Sequence, residues 1–94
     1  SRDDVLRRAV IMSLMCQGRV HFRSVELAYL IDFKSCFAAE LERLRMMQDD
    51  GLVKLSDIAI EVTPLGWFFV RGIAMVFDRY LQARRSRARF SKIL

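Results

Sequence analysis

The residue types that most often carry out chemistry in proteins are few and scattered in this sequence. It contains one histidine, His21, and two cysteines, Cys16 and Cys36, which lie far apart along the chain. Zinc sites and iron–sulfur clusters need several closely spaced cysteine or histidine ligands. Glu40 and Glu42 lie two positions apart on a predicted helix, so they point in different directions and we expect both to be solvated. We therefore predict no catalytic residue, no cofactor-binding residue and no metal ligand in this chain.

Arg71 is the charged residue with the most unusual sequence surroundings, because Phe69, Val70 and Ile73 lie next to it. An unpaired charge is costly to bury. We therefore expect a structural ion pair, with Asp78, Asp32 or a carboxylate of another domain as its partner. The functional alternative is that Arg71 binds a carboxylate of a substrate.

Trp67, Phe68 and Phe69 are three consecutive aromatic residues within a long apolar segment. At roughly 100° per residue, three consecutive side chains on a helix cover about 200° of its circumference. A small domain can bury only one face of such a helix, and large exposed apolar patches usually mark interfaces. We therefore predict a docking patch at these three residues, with help from the first helix. Either another domain or a second copy of the chain would cover it.

The positions of apolar residues and of helix-capping residues predict the elements that must hold these side chains. The first helix starts near Asp3 and Asp4, is apolar nearly all round, and should therefore be buried on most sides, together with both cysteines. The later elements are a short helix at 25–30 capped by Ser24, a third helix from Asp32 to Gly51, a β-hairpin at 52–62, and a last helix from Thr63-Pro64 to about Ala83. Gly66 and Gly72 inside the last helix should allow close packing.

This order of elements predicts a mainly α-helical, winged-helix-like domain with a small β-hairpin and a long apolar C-terminal helix. Winged helices often bind DNA, but residues 34–50 carry three cations against four carboxylates, which disfavours binding to phosphates. The basic residues cluster instead at 79–92. We therefore do not expect sequence-specific recognition of nucleic acid.

No signal peptide is visible, and the apolar stretch 65–77 is shorter than the ~20 residues that span a membrane. We therefore predict a cytoplasmic protein without a membrane segment. The chain starts at Ser1 without an initiator methionine, and we expect it to be a piece of a longer protein.

Several segments of the chain resemble the C-terminal domain of oxygen-independent coproporphyrinogen III oxidases, which are also called coproporphyrinogen dehydrogenases. Residues 8–16 follow the family pattern R-x-V-I-x-x-L-M-C, and residues 90–94 are similar to the family ending F-S-R-V-I. Further similar segments lie between them, at 31–33, 37–41, 50–53, 62–66 and 70–81. Two positions depart from the family pattern: Trp67 stands where a basic residue is usual, and Gly72 where asparagine is usual.

The resemblance implies that residues 1–94 are a single C-terminal accessory domain of a radical-SAM enzyme. That enzyme uses a 4Fe-4S cluster and S-adenosylmethionine to decarboxylate coproporphyrinogen III oxidatively to protoporphyrinogen IX in haem biosynthesis. The domain would pack on the N-terminal barrel of the same polypeptide and help cover the substrate cavity. Arg71 would then face a substrate propionate or the barrel, and an isolated fragment would be able to form a non-native dimer.

A second hypothesis belongs to a different class of function. The chain would then be a stand-alone winged-helix module that binds nucleic acid or another protein. A cluster-binding cysteine motif upstream of Ser1 would favour the first hypothesis.

Overall fold

The computed structural model describes residues 1–78, and residues 79–94 lie outside that part. Ser1 caps the first helix, because its hydroxyl accepts a hydrogen bond from the backbone N–H of Asp4 at 3.3 Å. Gly18 ends that helix in the left-handed conformation. The elements of the N-terminal half are α1 (Arg2–Gln17), β1 (Arg19–His21), α2 (Phe22–Tyr29), α3 (Phe33–Cys36) and α4 (Ala38–Asp49).

The predicted hairpin is present and is joined by a third strand. The hairpin consists of β2 (Val53–Leu55) and β3 (Ala59–Val62). β3 is the central strand, with β1 and β2 antiparallel on either side of it. The fold class is therefore mainly helical with a small three-stranded antiparallel sheet. Because β1 follows α1 directly, the sheet fixes the C-terminal end of α1 beside the hairpin.

Four phenylalanines form the centre of the core. Phe33 stacks on Phe22 at 4.4 Å between ring centroids and packs on Phe37 at 4.9 Å. Phe77 packs edge-on against Phe37 at 5.2 Å. These rings join α2, α3, the start of α4 and the last described turn of the chain. One face of α1 closes the core through Leu6, Val10 and Leu14.

The prediction of a long apolar C-terminal helix is wrong for the described residues. The segment is instead a 3₁₀ turn (Gly66–Phe69), α5 (Val70–Ala74) and a second 3₁₀ turn (Met75–Phe77). Asp78 is extended, and the remaining part of the predicted helix, up to Ala83, lies outside the described residues. Glycine at 66 and 72, with β-branched and aromatic residues between them, gives the segment weak helix propensity. Packing against the core therefore determines its path.

Three other predictions from the sequence are also wrong. The first helix is not buried on most sides, because Val5 and Met12 are exposed while only one face contacts the core. Cys16 and Cys36 are exposed rather than buried, and both are free. The second helix starts at Phe22 rather than after Ser24, because the chain passes from β1 into α2 without a loop. In each case the long-range packing, which local patterns do not contain, determined the outcome.

None of the helices within residues 1–78 is long and apolar enough to cross a membrane.

Candidate docking surface

Trp67, Phe68 and Phe69 are all exposed on the surface of the domain. Phe68 is 82% exposed, Phe69 55% and Trp67 44%, and Leu65 beside them is 52% exposed. Burying an aromatic side chain is worth about 2 kcal/mol or more, so leaving three of them in water forgoes a large stabilisation. We call Leu65, Trp67, Phe68 and Phe69 the aromatic patch.

The backbone that presents the aromatic patch is held against the hairpin. The hydroxyl of Thr63 donates to the carbonyl of Gly51 at 2.6 Å and accepts from the N–H of Gly66 at 3.0 Å. Gly66 packs so closely that a Cβ there would lie 1.9 Å from the backbone oxygen of Leu52. The prediction of close packing is therefore confirmed for Gly66. It is wrong for Gly72 within the described residues, because apart from its own helix backbone and chain neighbours none of their heavy atoms lies within 4 Å of a Cβ built there.

The aromatic patch continues onto the first helix. A Cβ at Gly18 would lie 2.4 Å from the Trp67 ring, so the indole packs against the end of α1. Met12, Met15 and Gly18 follow at intervals of three and lie along one side of the helix. Both methionines are exposed. The predicted contribution of the first helix therefore has a structural basis, while the role of the surface in docking stays a prediction.

Arg71 lies on the exposed side of α5, close in sequence to the aromatic patch. It forms no ion pair with any of the residues 1–78, so neither Asp32 nor Asp78 is the expected partner. The expected ion pair rested on the apolar neighbours of Arg71 in the sequence, but the side chain is exposed and needs no partner. The two other hypotheses, a barrel carboxylate and a substrate propionate, stay predictions.

The arginine that is held by carboxylates is Arg7. Its guanidinium donates to Glu40 at 2.7 Å, to Asp3 at 3.0 Å and to the backbone oxygen of Phe77 at 3.1 Å. It also lies over the Phe37 ring at 5.3 Å from the centroid. Burial alone lowers the pKa of Arg7, but the hydrogen bond and charge of Glu40, with the charge of Asp3, raise it overall.

The expectation that Glu40 is solvated is therefore wrong, whereas Glu42 is exposed as expected. Glu40 is 5% exposed and is the buried charged residue of the described core. The spacing of Phe33, Phe37, Glu40 and Leu44 places it on the side of the helix that faces the core. That spacing could have identified Glu40 from the sequence, but the partner Arg7 lies on another helix and could not be found in this way.

Cys36 lies near this ion pair. Although Cys36 is exposed, the surrounding protein partly shields its sulfur from water, and this desolvation raises the pKa of the thiol; the positive charge of Arg7 opposes that shift while Asp3 and Glu40 add to it. A raised pKa keeps the sulfur protonated at neutral pH, and the thiol form is a poor nucleophile. The structure therefore gives no support to a reactive cysteine at this position.

An open groove lies between the helices and the hairpin, with a volume of about 290 Å³. Its cations are already paired within the domain: Lys34 with Asp57 at 3.4 Å and Arg45 with Glu42 at 2.6 Å. The remaining lining residues are Phe22, Ala38, Leu41, Leu55 and Ser56. The groove therefore presents no net charge that would select an anionic ligand. His21 lies outside it, at the end of β1, and is exposed.

The cofactors implied by the resemblance do not fit the residues of this domain. An iron–sulfur cluster is held by several cysteine thiolates. Cys16 and Cys36 lie on different helices, and within residues 1–78 no group of three or more His, Cys, Asp or Glu side chains is placed to hold a metal ion. We therefore assign no cluster ligand to these residues.

Comparison with known proteins identifies the family. The model of the HemN C-terminal domain matches residues 1–69. The chain belongs to the HemN C-terminal domain family. Two relatives of this chain are named oxygen-independent coproporphyrinogen III oxidase. The Thermostichus vulcanus protein is 42% identical over 92 residues, which are 98% of this chain and 28% of that protein. The Synechocystis protein is 40% identical over 98 residues, covering 100% of this chain and 21% of that protein.

A solved structure of a HemN protein shows the same fold. It is described as coproporphyrinogen III oxidase (HemN) from Escherichia coli, a radical SAM enzyme. The match has a TM-score of 0.83 at 39% identity and covers 85% of this chain but 18% of the E. coli chain. The present chain thus spans between a fifth and about a quarter of the length of the two HemN relatives described above.

Proposed function

We propose that this chain is the C-terminal accessory domain of an oxygen-independent coproporphyrinogen III oxidase. The observation that carries the proposal is the match along nearly the whole chain to relatives of that name, together with the shared fold. The reaction of the parent enzyme would be the oxidative decarboxylation of coproporphyrinogen III to protoporphyrinogen IX. A radical-SAM barrel preceding the domain would supply the 4Fe-4S cluster and the S-adenosylmethionine site.

The role of the domain itself would be to pack on that barrel and help cover the substrate cavity. The aromatic patch supports this role, because its side chains are apolar, adjacent and held by a rigid backbone. Arg71 lies beside the patch and would reach either a barrel carboxylate or a substrate propionate. A second copy of the chain would cover the same patch when the barrel is absent.

The winged-helix-like arrangement is part of this proposal. Its support is the element order, in which β1 lies between α1 and α2, the hairpin follows α4, and the three strands pair in the order β1–β3–β2. In this arrangement α4 would be the recognition helix of a DNA-binding protein. Its first turn contains Glu40, which is engaged by Arg7, and the exposed Glu42 pairs with Arg45. These contacts favour an accessory role over the alternative of a stand-alone module that binds nucleic acid.

A domain replacement tests the proposal. Residues 1–94 replace the matching region of the E. coli relative, and oxidation of coproporphyrinogen III is measured under anaerobic conditions. The account predicts activity above that of the same E. coli protein truncated before this region. A folded replacement protein that is no more active than the truncated protein would contradict the proposed function.

A further inference from the structure

The corner that follows α2 has an unusual backbone conformation. Leu30 has φ 56° and ψ 51°, and it is the one non-glycine residue with positive φ in the part of the chain that the structure describes. Glycine usually occupies this position after a helix, because a Cβ is disfavoured there. Leu30 is also 82% exposed, and Leu27, one turn earlier, is 63% exposed. Leu30 thus occupies a position at which both its backbone conformation and the exposure of its apolar side chain are unfavourable.

Contacts on both sides of the corner hold it in this conformation. The N–H of Leu30 donates to the carbonyl of Glu26 at 2.8 Å, and the carboxylate of Glu26 accepts from the N–H of Phe33 at 2.9 Å. The guanidinium of Arg2 donates to the carbonyl of Tyr29. Strained backbone positions of this kind persist where several surrounding contacts hold them in place, and they cluster at functional sites. The corner therefore presents Leu30 outward in a fixed position.

The contact with Arg2 also indicates what would cover the corner. It places the corner beside the start of α1, where the domain is joined to the polypeptide that precedes it in the HemN relatives. The family is a C-terminal domain, and four fifths of the Synechocystis relative lie outside the matched region. Leu27 lies in the last turn of α2 and Leu30 follows as its C-cap residue, so both exposed leucines belong to this corner.

We propose that Leu27 and Leu30 form a second docking contact, separate from the aromatic patch. Its occupant is the polypeptide that immediately precedes the domain in the parent enzyme, through an apolar side chain placed between the two leucines. This inference rests on the proposed function. A contact that is already rigid loses little conformational entropy when its partner binds, which accounts for a strained leucine at this corner.

Hydroxyl-radical footprinting with mass spectrometry tests the proposal. It compares the 94-residue chain alone with the domain-replacement protein described above. The rates of modification of Leu27 and Leu30 should fall several-fold in the replacement protein. A Leu30→Asn variant provides the second arm, because asparagine tolerates positive φ but is polar. This variant should have an unchanged or higher unfolding temperature in the isolated chain, and it should lose the protection of Leu27 in the replacement protein.

Ala28→Gln is the matched control, since position 28 is also exposed but lies about 100° around α2 from Leu27. It should leave the protection of Leu27 intact. If Trp67 is protected in an active replacement protein while both leucines react as in the isolated chain, the second contact is wrong and the proposed function stands. If Trp67 is also unprotected and the protein is inactive, the proposed function itself fails.

Discussion

At the scale of single residues, the arginine singled out in the sequence and the arginine that organises the core are different. Arg71 is conspicuous because its neighbours in sequence are apolar, yet it is exposed. Arg7 is one of two adjacent arginines in the first helix and does not stand out in the sequence, yet it connects α1, α4 and the backbone of Phe77. Neighbours in sequence indicate the composition of a segment, whereas burial of a charge depends on which helices meet.

Replacing Arg7 by methionine should destabilise the domain by about 2–3 kcal/mol. The substitution keeps the length of the side chain but leaves the buried carboxylate of Glu40 without its cation. Removing one partner of a fully buried pair costs about 3–5 kcal/mol, and Arg7 remains 17% exposed, so the effect should be smaller. Urea denaturation measures the change in the free energy of unfolding.

The matched control is Arg45→Met, because Arg45 and Glu42 form a pair in which both side chains are mostly exposed. It should change the stability by at most about 0.5 kcal/mol. The double variant Arg7→Met/Glu40→Met should be more stable than Arg7→Met alone, because it removes the buried charge as well. Equal changes in the free energy of unfolding for Arg7→Met and Arg45→Met would show that burial of the Arg7–Glu40 pair does not increase its contribution to stability.

Alkylation of Cys36 should require a higher pH than alkylation of a free cysteine. Only the thiolate reacts, and burial raises the pKa of this thiol. The rate of alkylation should therefore begin to increase at a higher pH than it does for a small-molecule thiol. The measurement is the rate of reaction with iodoacetamide against pH in a Cys16→Ser background. A pH profile at or below that of free cysteine would contradict the assignment.

At the scale of elements, the two glycines of the last segment have opposite roles. Gly66→Ala should destabilise the domain by about 3 kcal/mol, because the new Cβ would lie 1.9 Å from a backbone oxygen that cannot move independently. Gly72→Ala should stabilise it by up to about 1 kcal/mol, because the site is open and alanine favours a helix. Thermal unfolding of the two variants measures the difference. Similar effects of both substitutions would mean that the contact of Gly66 with Leu52 is misplaced.

The elements that could be predicted from sequence are those with local signals. The start of α1 has Asp3 and Asp4, its end has Gly18, and the hairpin has alternating apolar residues around a polar turn. The pairing of β1 with β3 could not be predicted, because β1 is three residues long and its partner lies forty residues later. The division of the last segment into short turns was missed for a similar reason. Its apolar residues suited a helix, but Gly66 has to pack on the hairpin.

At the scale of the whole molecule, the exposed aromatic patch followed from a limit of size. A small domain has too little interior for two helices that are apolar nearly all round. In the structure, part of α1 and most of the aromatic patch are therefore exposed to solvent. The exposure of Trp67, Phe68 and Phe69 could therefore be predicted from the sequence. The long straight helix on which that prediction relied was wrong. The sequence could not show that Trp67 also packs on Gly18.

A polar substitution in the patch should separate docking from folding. Phe68 is 82% exposed, so Phe68→Ser should leave the stability of the isolated chain within about 0.5 kcal/mol. In the domain-replacement protein it should lower the rate of coproporphyrinogen III oxidation. Lys54→Ser, on the exposed side of β2, is the matched control and should leave that rate unchanged. Equal rates for the two variants would mean that Phe68 does not face the barrel.

The most direct test of the account is whether Trp67 becomes buried when the domain is attached to its barrel. Trp67 is the single tryptophan of this chain, so fluorotryptophan incorporation labels one position. The labelled chain is ligated to the unlabelled preceding part of the E. coli relative, and the change in ¹⁹F chemical shift between H₂O and D₂O is measured. We expect the shift of a partly exposed indole in the free chain and a strongly reduced shift after ligation. The same solvent-induced shift in both proteins would contradict it.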